Sequence, residues 1–180
     1  MPIDPKDVRR LRAETGAGVM DCKRALEEAG GDLERAKETL RQRGLASAAK
    51  RAEREAREGV VEAYIHAGGR VGALVELSSE TDFVARNPEF RELARNIAMQ
   101  VAAMSPRVVS EDDLGPEDRA RLVKEHGDEK RALESAVLLR QPYIKDNSRT
   151  IADLVTALAA TTGENVRVRR FTRFQLGESA

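Results

Sequence analysis

Few side chains in this sequence could carry out covalent chemistry. The 180 residues include two histidines, His66 and His126, and one cysteine, Cys22. No Cys or His cluster has the spacing of metal ligands, and no glycine-framed serine forms a nucleophile turn. Cys22 lies on a helical apolar stripe, which indicates a small core residue rather than a reactive thiol. The residues therefore favour a binding or regulatory protein over an enzyme, with no metal site.

The Gly16-Ala17-Gly18 segment is superficially similar to a nucleotide-binding loop. A dinucleotide fingerprint needs a preceding strand and a longer glycine spacing, whereas helical patterns lie on both sides of this segment. A phosphate-binding loop needs a Lys-Ser or Lys-Thr pair at a fixed distance, and none follows. We interpret the segment as a sharp turn between two helices, and we expect no cofactor.

Phe83 is an aromatic residue in a polar segment, residues 78–87, that joins a predicted strand to a predicted helix. Two interpretations are open. The ring packs beneath the following helix, with Asp82 as a local cap, or it is presented outward and inserts into a partner. His66, beside a Gly-rich turn, is similarly either a plain surface residue or a partner contact.

Composition limits the classes of partner. Lys plus Arg and Asp plus Glu each total 31, so the formal net charge is zero and no general attraction to nucleic acid or membrane is expected. Four Phe, two Tyr and no Trp offer few stacking platforms for nucleic acid. No apolar run is long enough to cross a membrane, and residues 1–5 do not resemble a signal peptide. With one cysteine, the sequence predicts a cytoplasmic protein.

Residues 1–44 predict a small domain of three helices. Asp4-Pro5 starts a helix that ends near Thr15, a second runs from about 19 to 29, and Asp32 caps a third that Gly44 ends. Residues 45–58 predict a charged helical connector. Its cations are either solvated or face an acidic partner, and they are Lys50, Arg51, Arg54 and Arg57.

Residues 59–180 predict an α+β core. A β-hairpin is expected after Gly59, with its apolar face formed by Val61, Ala63 and Ile65 opposite Val71, Ala73, Val75 and Leu77. A helix from Asn87-Pro88 to Ser105 covers that hairpin. Short helices are expected near 116–126 and 129–139, then an extended segment at 141–144, a helix capped by Thr150 and Asp153, and a strand over 165–174. About three mostly antiparallel strands with helices on one face leave a face or edge uncovered, which predicts dimerisation.

Three sets of segments resemble the signature motifs of the elongation factor Ts family. They occur in the family's order and span nearly the whole chain. The sets are Leu11-Arg12 with residues 15–18 and 20–26; Thr81-Asp82-Phe83-Val84-Ala85-Arg86-Asn87; and Gln141-Pro142-Tyr143-Ile144-Lys145 with residues 163–165 and 169–171.

The resemblance implies a guanine-nucleotide exchange factor for elongation factor Tu, with a ubiquitin-associated-like N-terminal domain. It implies that the segment Thr81, Asp82, Phe83 and Val84 enters the partner's G domain near Mg²⁺ and phosphate. It implies further contacts with the G domain and with another domain of the partner. We assign these further contacts to Leu11, Val19, Met20, Lys23, Arg51 and His66.

The chain departs from the long form of that family. It has one core repeat and no coiled-coil insertion, and therefore resembles the short bacterial class, in which two copies can substitute for the duplicated core. We expect a homodimer without direct nucleic-acid contact. Residues 115–137 look shortened, and Thr172 fills a position where some short members carry cysteine, so no disulfide between subunits is expected there.

Two other functions stay open at this point. The first is a ubiquitin-associated-like adaptor that binds another protein through Leu11, Val19 and Met20. The second is an RNA-binding factor, for which strong salt dependence of binding would be the signature. Its basic residues would be Arg167, Arg169, Arg170 and Arg173.

Overall fold

The computed structural model describes residues 3–178. The outermost residues of the predicted N-terminal and core domains, 1–2 and 179–180, lie outside the described part. Runs of helices are separated by antiparallel strands along the chain, so the predicted α+β class is confirmed. The helices are α1 (Pro5–Thr15), α2 (Val19–Glu28), α3 (Leu33–Arg51), α4 (Asp82–Ala85), α5 (Pro88–Met104), α6 (Pro116–His126), α7 (Glu129–Ala136) and α8 (Ile151–Thr162). The strands are β1 (Glu58–Ile65), β2 (Val71–Ser79), β3 (Pro142–Tyr143), β4 (Asp146–Thr150) and β5 (Arg167–Gln175).

Helices α1, α2 and α3 pack around a small core of their own. The Asp4 carboxylate accepts a hydrogen bond from the Lys6 amide at 2.8 Å, and Gly16 ends α1 in the left-handed conformation with φ 68°. Cys22 is buried in this core, which confirms its structural role. Three helices were predicted and are present; their ubiquitin-associated likeness stays a prediction. The core residues are Leu11, Cys22, Ala25, Leu26, Ala29, Ala36 and Leu40.

The prediction that Gly44 ends the third helix is wrong, because α3 continues without interruption to Arg51. A Cβ atom at Gly44 would lie only 2.8 Å from the Cβ atom of Ala160 on α8. Gly44 therefore permits a close approach of two helices and does not act as a stop signal. The predicted helical connector over 45–58 is helical only as far as Arg51, and β1 begins at Glu58. The domain boundaries themselves stay a prediction.

A three-stranded antiparallel sheet of order β1-β2-β5 forms the centre of the core. Helix α5 lies across its inner face, as predicted, and buries Phe90, Ile97 and Val101 against Val75 and Leu77. Apolar side chains on one stripe of the helix and on one face of the sheet leave water together, which drives this packing. A second, two-stranded sheet pairs β3 with β4, and β4 was not predicted.

The predicted apolar face of β1 points the wrong way. Val61, Ala63 and Ile65 are exposed, whereas Val60 and Tyr64 pack against the core. Both sets of alternate positions in β1 carry apolar residues, so alternation alone could not choose between them. The register decides: Val60 pairs with Leu77 and Tyr64 with Ala73, and paired residues share a face. A slip of one residue would turn every side chain over.

The last third of the chain follows the local signals closely. Helices α6 and α7 lie where short helices were predicted, and they share a small core of Leu122, Ala132 and Ala136. Helix α8 begins with the predicted capping box between Thr150 and Asp153 and ends at Gly163, which is left-handed with φ 73°. The chain then turns directly into the segment that leads to β5.

Candidate protein-binding site

Phe83 lies at the tip of the connection between β2 and α5 and is 79% exposed. The interpretation in which the ring packs beneath the following helix is therefore wrong. Thr81, not Asp82, caps the one-turn helix α4, since its hydroxyl accepts from the Val84 amide at 3.5 Å. The Asp82 carboxylate instead pairs with Arg86 at 2.8 Å. Val84 packs partly against the main core, and Ala85 is buried, so α4 is anchored on one side and presents Phe83 on the other.

Residues distant in sequence hold the start of this loop. One carboxylate oxygen of Glu164 accepts from the backbone amides of Glu80 and Thr81, each at 3.0 Å, and the other accepts from the Thr81 hydroxyl at 2.5 Å. Glu80 in turn accepts from the Asn165 amide at 2.6 Å. Sequence reasoning placed residues 163–165 in a family motif but assigned no role to Glu164 or Asn165. No local pattern could have done so, because more than eighty residues separate them from the loop.

The N-terminal residues assigned to partner contacts divide into two groups. Val19 and Met20, at the start of α2, are 50% and 65% exposed, and Lys23 is exposed one turn later with only a 3.7 Å pairing to Glu27. These three side chains are free to meet a partner. Leu11 is fully buried in the N-terminal core, so its assignment as a contact residue is wrong. A side chain that fills the centre of a small bundle has no surface to offer.

Arg51 and His66 also differ in availability. The predicted outward projection of Arg51 is wrong in part, because its guanidinium donates to the Ser47 hydroxyl at 2.6 Å and to the Ala159 carbonyl at 3.3 Å. Arg51 therefore helps to join α3 to α8. His66 is exposed at the end of β1, and its Nδ1 lies 3.1 Å from the Tyr64 hydroxyl. Both contacts with a partner stay predictions.

The outer face of the three-stranded sheet carries a row of exposed apolar side chains. Ile65, Gly72 and Phe174 are neighbours across β1, β2 and β5, and the Ile65 side chain lies over the glycine. The next row joins Ala63 to Leu74. Phe174 is 69% exposed, which is unusual for a phenylalanine in a regular strand. No helix of residues 3–178 covers these side chains.

The arginines of the possible RNA-binding set are largely engaged within the protein. Arg169 and Arg170 pair with Glu76 at 3.5 and 2.6 Å, and Arg173 pairs with Glu178 at 3.0 Å. Paired carboxylates reduce the attraction of such a cluster for phosphate. In the described part of the chain, no three His, Cys, Asp or Glu residues come close enough together to hold a metal ion. None of the helices within residues 3–178 is long and apolar enough to span a bilayer.

Comparison with known proteins decides the family. Residues 34–126 match the family described as Elongation factor TS. The elongation factor Ts of Carboxydothermus hydrogenoformans is 50% identical, over 98% of this chain and 90% of its own length. That of Thermotoga neapolitana is 47% identical over 99% of both chains, and that of a Synechococcus species is 50% identical over 99% of this chain and 70% of its own. The chain belongs to the elongation factor Ts family.

Membership of the elongation factor Ts family makes this protein a translation elongation factor. The resemblance expected from the three sets of motifs is thereby confirmed. The alignment with the Carboxydothermus protein extends over 195 positions, more than the 180 residues of this chain, so that relative has residues without a counterpart here. The predicted shortening of residues 115–137 stays a prediction.

Proposed function

We propose that this protein is a guanine-nucleotide exchange factor that binds elongation factor Tu and promotes the release of GDP. In this proposal, residues 81–84 lie near the Mg²⁺ and phosphate region of the partner's G domain. The observation that carries the proposal is the ring of Phe83, which is held outward on a capped and anchored one-turn helix. Large aromatic side chains at fixed, exposed positions are typical anchors of protein interfaces.

Exchange of this kind needs no bond to be made or broken in the factor. The factor must bind nucleotide-free elongation factor Tu more tightly than the GDP complex, and linkage then makes GDP and the factor weaken each other's binding. Burial of one phenylalanine side chain contributes roughly 1.5–3 kcal/mol. If the ring is buried only in the nucleotide-free complex, the change in GDP affinity is roughly ten- to a hundredfold.

The N-terminal helices supply affinity in this proposal. Val19, Met20 and Lys23 form an exposed surface at the start of α2 that is suited to a contact with the G domain. His66 and the remaining donors of Arg51 add contacts, and the core strands meet a further domain of the partner. Contacts that are equally good in both nucleotide states raise affinity without driving exchange. We place the protein in the cytoplasm, with no direct contact to nucleic acid.

We also propose that two copies associate through the outer face of the three-stranded sheet. One end of this face carries the apolar row, beside the ion pair of Glu76 with Arg170, and a two-fold interface would bring the same row of each copy together. Its exposed members Ile65, Leu74 and Phe174 lie on three adjacent strands. We expect Phe174→Glu to yield a monomer by light scattering after size exclusion at concentrations where the unmodified protein is a dimer. An unmodified protein that is already a monomer would remove this part of the proposal.

The exchange proposal is tested by timing GDP release. Elongation factor Tu carrying fluorescent GDP is mixed with excess unlabelled nucleotide, with or without this protein, and the loss of signal is followed. We expect the protein to accelerate release, and Phe83→Ala to reduce the rate at saturating factor roughly ten- to a hundredfold while circular dichroism stays unchanged. Leu176→Ala, at another exposed apolar residue, is the matched control.

Two results would contradict the proposal. If the unmodified protein binds elongation factor Tu but does not accelerate release, it acts as an adaptor and the exchange function is wrong. If release is accelerated but is insensitive to Phe83→Ala, exchange occurs without the ring, and the proposed insertion is wrong.

A further inference from the structure

We propose that Glu164 is a positioning residue that sets the orientation of Phe83 through the Thr81 cap. This inference rests on the proposed function of Phe83, although the positioning itself can be tested in the free protein. The bonds of Glu164 run to Glu80 and Thr81 rather than to Phe83, and in this proposal the residue does not meet the partner. It acts on the two residues that precede α4 and on the hydroxyl that begins that helix.

The carboxylate of Glu164 collects three donors from two consecutive residues. The amides of Glu80 and Thr81 both point at one oxygen at 3.0 Å, and the Thr81 hydroxyl donates to the other at 2.5 Å. Only an ionised carboxylate offers two oxygens that both act solely as acceptors. Hydrogen bonds to a charged acceptor are also stronger than those between neutral groups. Glu164 is thus suited by charge and shape to fix this backbone.

The direction of the Thr81 hydroxyl bond determines how well α4 is capped. Because the hydroxyl proton is donated to Glu164, the lone pairs of the oxygen are left for the first amides of the helix. The Val84 amide lies 3.5 Å from that oxygen, beyond the usual distance of about 2.7–3.2 Å, so this bond is weak and sensitive to the orientation of the hydroxyl. Val84 and Ala85 anchor one side of this four-residue helix through packing, and the oriented hydroxyl adds a second restraint at its first turn, next to Phe83.

Three further hydrogen bonds tie the same turn to the segment that follows the N-terminal helices. The Glu80 carboxylate accepts from the Asn165 amide at 2.6 Å, so residues 80 and 164–165 each bond to the other's backbone. The Asn165 side chain then donates to the Ala52 and Arg54 carbonyls, at 3.1 and 2.6 Å, just beyond the end of α3. Residues 163–165 therefore join the Phe83 loop, α8 and the end of α3 at one point.

The decisive variant is Glu164→Gln, which keeps the length of the side chain but replaces one acceptor oxygen by an amino group. That group would face a donor, so at least one of the three bonds is lost. We expect the amides of residues 80, 81 and 84 to exchange with solvent about tenfold faster in the free protein. Glu129→Gln is the matched control, since Glu129 also accepts two bonds from another element, from Arg119 of α6.

The effect on nucleotide release separates positioning from general damage. We expect Glu164→Gln to lower the rate at saturating factor about tenfold and to leave the half-saturating concentration unchanged. Thr81→Val removes the hydroxyl that donates to Glu164, and it should likewise lower the rate at saturating factor. In the Phe83→Ala background, Glu164→Gln should cause no further loss, because a residue that acts through the ring has nothing left to act on.

The outcomes test separately the positioning role of Glu164, its action through Phe83, and the function of Phe83 itself. Unchanged amide exchange in both Glu164→Gln and Thr81→Val overturns the positioning role. An additive loss of release rate in the Phe83→Ala background shows that Glu164 acts by another route and overturns the inference as stated. If Phe83→Ala alone has no effect, the proposed function of the ring fails, and amide exchange alone then decides whether Glu164 holds the loop.

Discussion

Phe83 and the Val19–Met20 pair are both exposed apolar surfaces, but the chain supports them in different ways. Phe83 lies on a one-turn helix that is bonded through Thr81 to Glu164, in the main body of the protein. Val19 and Met20 begin a helix of the small N-terminal bundle, whose core consists of seven residues, three of them alanine. One surface is fixed by hydrogen bonds between distant segments, and the other by the packing of a marginal core.

This difference suggests different roles. A rigidly held ring can bind one state of a partner more tightly than another, because a fixed side chain cannot adjust its contacts to both states. We expect a surface on a small bundle with a marginal core to adapt to either state and to add similar affinity to both. The predictions that follow test whether rate and affinity separate along this division.

The largest effect is expected from Leu11→Ala, which empties the centre of the N-terminal bundle. Substitutions of this type lower the free energy of unfolding by about 2–5 kcal/mol. Because the N-terminal core is a cluster separate from the main core, the bundle should open while the sheet and α5 remain folded. Residue-resolved hydrogen exchange should show lost protection in α1 and α2 and unchanged protection in β2. Loss of protection in both regions together would mean that the two units unfold as one.

The second effect concerns Met20, the more exposed member of the N-terminal pair. We expect Met20→Ala to weaken binding to elongation factor Tu by about 1–2 kcal/mol through lost apolar burial. The half-saturating concentration should rise about five- to thirtyfold, while the rate at saturation stays as in the unmodified protein. Phe83→Ala should give the opposite pattern, and the two variants therefore serve as controls for each other. A fall in the saturated rate for Met20→Ala would remove the division of roles.

The sequence predicts a structural feature correctly where the contacts that determine it are between neighbouring residues, and fails where they are between distant ones. The Thr150 and Asp153 cap, the Asn87-Pro88 helix start and the turn at Gly16 are specified by neighbouring residues, and the structure confirms each. The face of β1 and the role of Gly44 depend on residues that are distant in sequence, Leu77 and Ala160, and both predictions were wrong. The exposure of Phe83 was left open for the same reason, since its anchor Glu164 lies far along the chain.

The third prediction concerns whether Gly44→Ala raises or lowers the stability of the protein. Gly44 lies where the N-terminal helices meet the main body. Within a helix, Gly→Ala stabilises by up to about 1 kcal/mol. At Gly44 the added Cβ would lie 2.8 Å from that of Ala160, and overpacking costs about 1–3 kcal/mol. We expect a net loss of thermal stability for Gly44→Ala and a recovery in the double variant with Ala160→Gly. A more stable Gly44→Ala protein would show that α3 and α8 separate readily.

The smallest effect is expected from Thr150→Ala, which removes the cap of α8. The Thr150 hydroxyl accepts from the Asp153 amide at 3.1 Å, and loss of a cap of this kind lowers stability by about 1 kcal/mol. Bonds from the Thr150 backbone amide and hydroxyl hold the pKa of Asp153 below its usual value. The Asp153 carboxylate therefore stabilises the fold at neutral pH, and this contribution is lost as the pH falls through the lowered pKa. The variant should accordingly lose less stability on acidification than the unmodified protein, in thermal melts between about pH 6 and pH 3.

Helix α8 is the common support of both surfaces, and this makes Thr150→Ala a useful reference. Its C-terminal half meets α3 at Ala160, and Glu164 follows its last turn. Weakening the start of α8 should therefore affect the Phe83 surface and the Val19–Met20 surface equally. We expect only small changes in the saturated rate and in the half-saturating concentration, of similar size in both. If Thr150→Ala instead lowered the saturated rate alone, the Phe83 loop would depend on the whole of α8 rather than on the turn that follows it.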